Sequence, residues 1–150
     1  MNILFVCTGN TCRSPIAEAL LKAKLKAQKD IKANVRSAGL SVIYGSKLSF
    51  ETTEVIKRAG LKFRHTPTQL NQKLVDWADL ILTMTNDHAE AIISATNKNN
   101  VFSLGQFVGT HDVSDPFMRG MSAYNHTFYE LNDYTDKLME KLLYLKRKGK

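Results

Sequence analysis

The first eighteen residues constrain the chain more than any other stretch. Asn2-Ile3-Leu4-Phe5-Val6 is a short run of branched and aromatic residues, which predicts a buried strand. It runs directly into Cys7-Thr8-Gly9-Asn10-Thr11-Cys12-Arg13-Ser14-Pro15. Ser14 as N-cap, Pro15 as the first helical residue and apolar spacing from Ile16 onward predict the start of a helix. Cys7 therefore stands where a strand turns into a helix. A loop of this kind aims successive backbone N–H groups at one point, and the positive end of the helix dipole adds to them, so it suits a bound dianion.

Only five residues separate Cys7 from Arg13, so thiol and guanidinium can meet on the same anion, with Arg13 gripping two phosphate oxygens. A free cysteine has a pKa of about 8.5, and a helix N-terminus with a nearby cation brings it to roughly 3.5 to 7.5; Cys7 is expected to be a thiolate at neutral pH. Gly9 lets the backbone approach a ligand closely. Asn10 is one of the few non-glycine residues that accept a left-handed conformation. Thr8, Thr11, Cys12 and Ser14 complete the expected phosphate-binding loop.

At 150 residues the chain is of single-domain size, and one domain over residues 1–150 is expected. Hydrophobic residues at 43% and charged residues at 23% exclude a disordered chain. The opening apolar run is too short to span a bilayer and has no basic leader, so neither a membrane helix nor a signal peptide is expected, and the protein is placed in the cytoplasm. Cys7 and Cys12 are the only cysteines. Their spacing fits neither a disulfide framework nor a zinc site built on paired Cys-x-x-Cys motifs, which leaves thiol chemistry. The net charge of +7 includes a basic tail, Lys146-Arg147-Lys148 with Lys150, read as a solvated helix end. No nucleic-acid motif accompanies it, and the excess charge would act by steering acidic or phosphorylated partners. Neither a Walker pattern nor a Gly-x-Gly-x-x-Gly turn occurs, which removes a nucleotide-binding reading.

Beyond the loop, Ile16, Ala19, Leu20, Ala23 and Ala27 share one helical face and Glu18, Lys22 and Lys26 the other. Residues 34–37 read as a second strand closed by Gly39, residues 41–49 as a loop, and residues 51–59 as a helix ended by Gly60. A short helix over residues 71–77 precedes a doubly buried strand at 79–84. Asn86 and Asp87 then open a helix carrying Ala89, Ile92 and Ile93 inward. Residues 101–104 make a fourth strand, residues 105–120 a long loop, and Phe128, Leu131, Leu138, Leu142 and Leu145 a long closing helix. Alternating strands and helices predict a single doubly wound α/β domain: a four-stranded parallel sheet with helices on both faces, its ligand site beyond the carboxyl ends of the strands.

Positions 6 to 15, Val-Cys-Thr-Gly-Asn-Thr-Cys-Arg-Ser-Pro, resemble the signature of the low-molecular-weight protein tyrosine phosphatases. Ser37-Ala38-Gly39 and Asp115-Pro116 resemble that family's turn after the second strand and its late Asp-Pro loop, so the resemblance covers essentially the whole chain. It implies two displacements at phosphorus: Cys7 attacks to form a cysteinyl-phosphate, which water then hydrolyses. Neither a metal nor another cofactor is required, since Arg13 and the loop amides stabilise the transferring phosphoryl group. The implied partners are phosphorylated proteins, not nucleic acid or membrane; a monomer is expected.

Asp115 is then the candidate general acid, held extended by Pro116 on a loop that can close over the site, with its pKa expected to be raised by its surroundings. Alone, Asp-Pro reads as a turn, and it is the position in the resemblance that decides. Asp112 is left as a solvated loop residue. Ser14 can cap the helix and donate to the thiolate. The resemblance further implies that Ser37 and His65 support the left-handed Asn10, and that Cys12 forms a reversible disulfide with Cys7 that shields the nucleophile. His88, His111 and His126 receive no role. Arsenate reductases of similar fold use additional resolving cysteines, which this chain lacks, and a phosphate-binding module without catalysis would need neither Cys7 nor Asp115.

Thr11 departs from the aliphatic residue usual in tyrosine-acting members and resembles the bacterial protein arginine phosphatases. A hydroxyl beside the scissile bond can orient a phosphoguanidinium or the hydrolytic water, whereas an aliphatic group packs on a phenol ring. Phe117-Met118 stands where tyrosine-acting members carry paired aromatics, a weaker clamp on a phenol. The opposite wall is expected from residues 40–44. The reading favours phosphoarginine as substrate, with phosphotyrosine the alternative.

Overall fold

The computed structural model describes residues 1–149; Lys150, counted above in the basic tail, lies outside the described residues. Ten elements follow one another: β1 (Asn2–Cys7), α1 (Arg13–Ala27), β2 (Asn34–Gly39), α2 (Phe50–Arg58), α3 (Gln72–Trp77), β3 (Leu80–Thr83), α4 (Asn86–Thr96), β4 (Val101–Ser103), α5 (Leu104–Val108) and α6 (Gly120–Lys148). The strands form one parallel sheet, as the alternation predicts, and their order in it is β2-β1-β3-β4. Strand order reverses on either side of β1, which makes the carboxyl end of β1 the crevice of the sheet.

Period two assigns the side chains of β1 to opposite faces. Ile3, Phe5 and Cys7 join the core under α1, α2 and α6 with Ile16, Leu20, Leu131 and Leu138. Leu4 and Val6 join the core on the other face with Leu74, Ile81 and Ile92 from α3, β3 and α4. Each fully buried aliphatic chain contributes roughly 1.5–3 kcal/mol, so burial on both faces anchors β1 in the sheet. Register then aligns the chemistry: Cys7 pairs with Gly39, Val6 with Thr83, and Thr83 with Ser103, so all four strands end at one edge. A Cβ on Gly39 would lie 2.6 Å from the Thr8 carbonyl oxygen and 3.0 Å from the Asn10 nitrogen, so this close approach requires glycine.

Four local expectations are corrected. Ser14 is not the N-cap: α1 begins at Arg13 with Cys12 at the cap position, no side chain caps it, and Pro15 falls third in the helix because the Ser14 hydroxyl is turned into the site. Glu18 is not on a solvated face but 4% exposed, since it takes hydrogen bonds from the interior. Ile93 is 40% exposed and Leu145 45%, both beyond the rims of their apolar stripes. α5 takes Leu104 from the expected fourth strand and residues 105–108 from the expected loop, capped by Ser103, whose hydroxyl accepts the Gln106 N–H; five residues are too few to show helical periodicity. Among the described residues no helix is long and apolar enough to cross a membrane.

Candidate active site

Residues 8–12 link β1 to α1, and no backbone hydrogen bond outside the regular elements is donated by residues 8–14. Those of Asn10 and Ser14 face the Cys7 sulfur, and the others remain available to an anion, with the first turn of α1 behind them. Asn10 shapes the loop by adopting φ 56°. Its carboxamide is fully used: Nδ2 donates to Ser14 Oγ at 2.8 Å and Ser37 Oγ at 3.0 Å, while Oδ1 accepts the Thr68 N–H at 2.9 Å and His65 Nε2 at 2.7 Å. Because Thr68 N–H can only donate, Oδ1 is fixed as the acceptor and His65 must carry its proton on Nε2.

The same accounting orients the hydroxyls. Ser37 accepts from Asn10 and donates to Glu18 Oε1 at 2.7 Å. Ser14 accepts from Asn10, so its proton is free for Cys7 Sγ, 2.8 Å away. A buried polar relay thus runs from Glu18 through Ser37, Asn10 and Ser14 to the sulfur. It brings together the sequence-predicted Ser37, His65, Asn10 and Ser14; Glu18, assigned to solvent by helical periodicity, is its missed end.

Cys7 is 3% exposed, and burial pushes its thiol above the ordinary range, opposed by the Ser14 hydroxyl, the Arg13 charge and the backbone N–H groups of Ser14 and Asn10. The lowering of the Cys7 pKa expected from the helix N-terminus and Arg13 is thus opposed by the depth at which the sulfur lies. Burial outweighs the stabilising donors, a balance that spacing along the chain does not reveal. Both cysteines are free thiols. Cys12 Sγ lies 3.0 Å from the buried Tyr124 hydroxyl, whose own pKa is pushed up by burial and by this contact.

Arg13 is buried, its Nη1 donating to the Val113 carbonyl at 3.2 Å and its Nη2 3.7 Å from Asp115 Oδ2. The Asp115 side chain is 59% exposed, and its Oδ1 accepts the Phe117 N–H at 3.1 Å, which fixes the turn. Asp112 does more than sit in solvent: it accepts the first N–H of α4, from Asn86. His88, unassigned from sequence, bonds through Nε2 to Thr8 Oγ1 at 2.9 Å; helical spacing from Asn86 gives no sign of it.

A cleft of about 270 Å³ opens over the loop, with Cys7, Thr11, Arg13, Ile43, Asp115 and Phe117 among its walls. Of the stretch 40–44, Ser41 and Ile43 face it, whereas Tyr44 is fully exposed and Leu40 packs into the core below. Met118, expected beside Phe117 on the far wall, is absent from the lining; at φ 58° its side chain is carried into solvent. A Cβ on Gly9 would touch only Thr11 Oγ1, at 3.7 Å, so within the protein that position tolerates a side chain. Among the described residues no three His, Cys, Asp or Glu side chains are grouped to hold a metal ion. The cleft can hold a tetrahedral dianion between loop amides and guanidinium, with sulfur beneath it and a carboxylate at its mouth.

This fold and loop define a class. The family model for the low molecular weight phosphotyrosine protein phosphatases matches residues 2–148, and the chain belongs to that family. A protein-arginine-phosphatase from Geobacillus stearothermophilus is 41% identical over 144 residues, covering 93% of this chain and 95% of that one. A low molecular weight protein-tyrosine-phosphatase, PtpB, from Staphylococcus epidermidis is 36% identical over 140 residues, covering 92% and 96%. Among solved structures, a cysteine-to-serine mutant of the YwlE arginine phosphatase with a phosphorylated active-site serine superposes with a TM-score of 0.89 at 37% identity. It covers 95% of each chain.

Proposed function

We propose that this protein is a cysteine-dependent phosphatase of phosphorylated protein side chains that prefers phosphoarginine. The observation carrying the reading is the convergence of Cys7, Arg13 and Asp115 on one cleft whose wall includes the Thr11 side of the loop. In the first step the sulfur of Cys7, as thiolate, forms a bond to phosphorus while the bond from phosphorus to the substrate atom breaks. Asp115 gives that leaving atom its proton. In the second step Asp115 takes a proton from water, whose oxygen displaces the thiolate and releases phosphate. Arg13 and the loop N–H groups stabilise the equatorial oxygens in both steps, and the Ser14 proton stabilises the sulfur anion each time it is released.

Two features support the guanidinium substrate. Thr11 presents a hydroxyl where an aliphatic side chain would pack on a ring, and Phe117 is the one aromatic side chain among the described residues of the cleft wall. The relative from Geobacillus stearothermophilus is named for the same activity. A phosphotyrosine reading is favoured by one contrary observation: Ile43 and Phe117 both line the cleft and stand 78% and 61% exposed, free to cover a phenol ring. Measuring kcat/KM on peptides that differ only in carrying phosphoarginine or phosphotyrosine decides between them; the phosphoarginine peptide is expected to be turned over more efficiently, and a higher value for phosphotyrosine reverses the assignment. Cys7→Ser is expected to abolish turnover of both while retaining vanadate binding, and residual turnover would mean a different nucleophile.

A further inference from the structure

β2 is one of the sheet's two edge strands, and the charged residues lining the grooves beside it are mainly cations. Two adjoining grooves of about 840 and 540 Å³ share Lys22 and Arg36 as walls. Lys26 and Lys32 line the first, Arg64 and Lys73 the second, and all six cations are exposed. Among the described lining residues the one carboxylate is Glu18, in the second groove, and it is buried and already bound to Lys22 and Ser37. Among the described residues Lys26, Lys32, Arg36, Arg64 and Lys73 have no ion-pair partner. Arg36 is held over the Trp77 ring, 5.2 Å from its centroid. Lysines on an edge strand itself discourage strand pairing, but Lys22 and Lys26 project from α1 and Lys73 from α3, so protection of the edge does not account for them. Like charges gathered at this density repel one another, and the same field raises the local concentration of an acidic ligand.

We infer that this face docks an acidic segment of the protein substrate, an inference that rests on the protein-phosphatase reading above. Arg36 lies three residues before Gly39 along β2, and Gly39 pairs with Cys7. At about 3.3 Å per residue the cationic face begins roughly 10 Å from the level of the nucleophile and continues away from it. An extended substrate therefore brings acidic residues onto it at about three to seven positions from the phosphorylated side chain, and the docking adds affinity without touching the chemistry.

The test uses paired phosphopeptides that carry four Glu or four Gln at positions four to seven from the phosphorylated residue, on either side in separate peptides. Wild-type enzyme is expected to favour the Glu peptide of one side through KM, and Lys26→Glu with Lys73→Glu to remove about two- to fivefold of that preference per cation. Turnover of a small aryl phosphate is expected to be unchanged. Equal KM for Glu and Gln peptides in the wild type overturns the inference, as does a variant that loses aryl phosphate turnover in the same proportion. Fluorescence anisotropy with an unphosphorylated Glu-rich peptide reads docking without catalysis, so it stands or falls separately from the phosphatase reading; binding that weakens from 50 to 300 mM salt, by about an order of magnitude, is expected. A single-stranded oligonucleotide that binds more tightly than this peptide overturns the choice of partner.

Discussion

Asn10 and Ser37 stand 27 residues apart in the chain and are joined by a 3.0 Å hydrogen bond from Nδ2 to Oγ. That bond ties the left-handed turn of the phosphate loop to the neighbouring strand, and Ser37 passes it on to the buried Glu18 carboxylate. Ser37→Ala leaves one Asn10 N–H and one Glu18 oxygen without their partner, and unmet buried groups of this kind cost about 1–3 kcal/mol. The expected outcome is a lower denaturation midpoint together with a reduced kcat, because Ser14 and the loop amides lose their common anchor. Urea unfolding and steady-state kinetics on the same preparation check both; unchanged kcat would detach the relay from the sulfur.

Asp115 is far more exposed than Arg13 and meets it at 3.7 Å, a distance at which the guanidinium remains free for phosphate. Asp115→Asn keeps the hydrogen bond from Phe117 N–H but removes the proposed proton source. The loss in kcat is expected to be largest for substrates with poor leaving groups, on the order of 10²–10⁴-fold, and small for activated aryl phosphates. A series of aryl phosphates graded by phenol pKa measures this directly. A loss independent of the leaving group would remove Asp115 from the acid role.

The sequence revealed the sheet, its order of elements and the loop because each rests on local chemistry: apolar runs of fixed length, a Gly and an Asn where the backbone turns, a Cys and an Arg at loop spacing. Glu18 and His88 were illegible for the opposite reason. Glu18 sits in the polar stripe of an amphipathic pattern, and only the long-range placement of Ser37 and His65 turns that position inward. His88 meets Thr8 across 80 residues, a contact that follows from β1 and β3 being neighbours in the sheet. Ser14 was misplaced by one rule competing with another: a serine before a proline is a good cap in isolation, yet here the hydroxyl serves the sulfur. The ionisation of Cys7 depends on how deeply the sulfur lies, which no spacing encodes.

His65 gives the fold a defined pH response. Burial, with Lys22 adding to it, holds its pKa below the ordinary 6.5 despite the pull of Glu18. The unfolded chain therefore takes up the proton first as pH falls, and the folded state loses relative stability. Stability contributed by neutral His65 is complete above about pH 6.5 and declines below it, by at most about 1.4 kcal/mol per pH unit. His88, whose pKa burial also lowers, adds a response of the same sign, so the comparison must be internal. Thermal midpoints of wild type and His65→Gln between pH 5 and 8 are expected to converge as pH falls; a constant gap would show that His65 does not titrate within this window.

Thr11 is the position at which the substrate assignment is most exposed to experiment. Its carbonyl accepts the Ser49 N–H at 3.2 Å and the Thr52 hydroxyl at 2.8 Å, so its backbone is held by the start of α2 whatever side chain it carries. Its own hydroxyl has only a long contact to Cys12 Sγ, at 3.5 Å, and is free to serve a ligand. Thr11→Ile therefore changes the lining of the cleft with little effect on the loop. An added aliphatic surface stabilises a phenol ring by packing, while a phosphoguanidinium loses a hydrogen-bonding partner, and the two effects act in the same direction on the ratio of kcat/KM values. Each is worth on the order of 1–2 kcal/mol, which together shift the ratio toward phosphotyrosine by roughly 30-fold or more. The matched peptides measure it, with vanadate affinity as the check that the loop is intact; a ratio that stays put while vanadate binding is preserved would take Thr11 out of substrate choice.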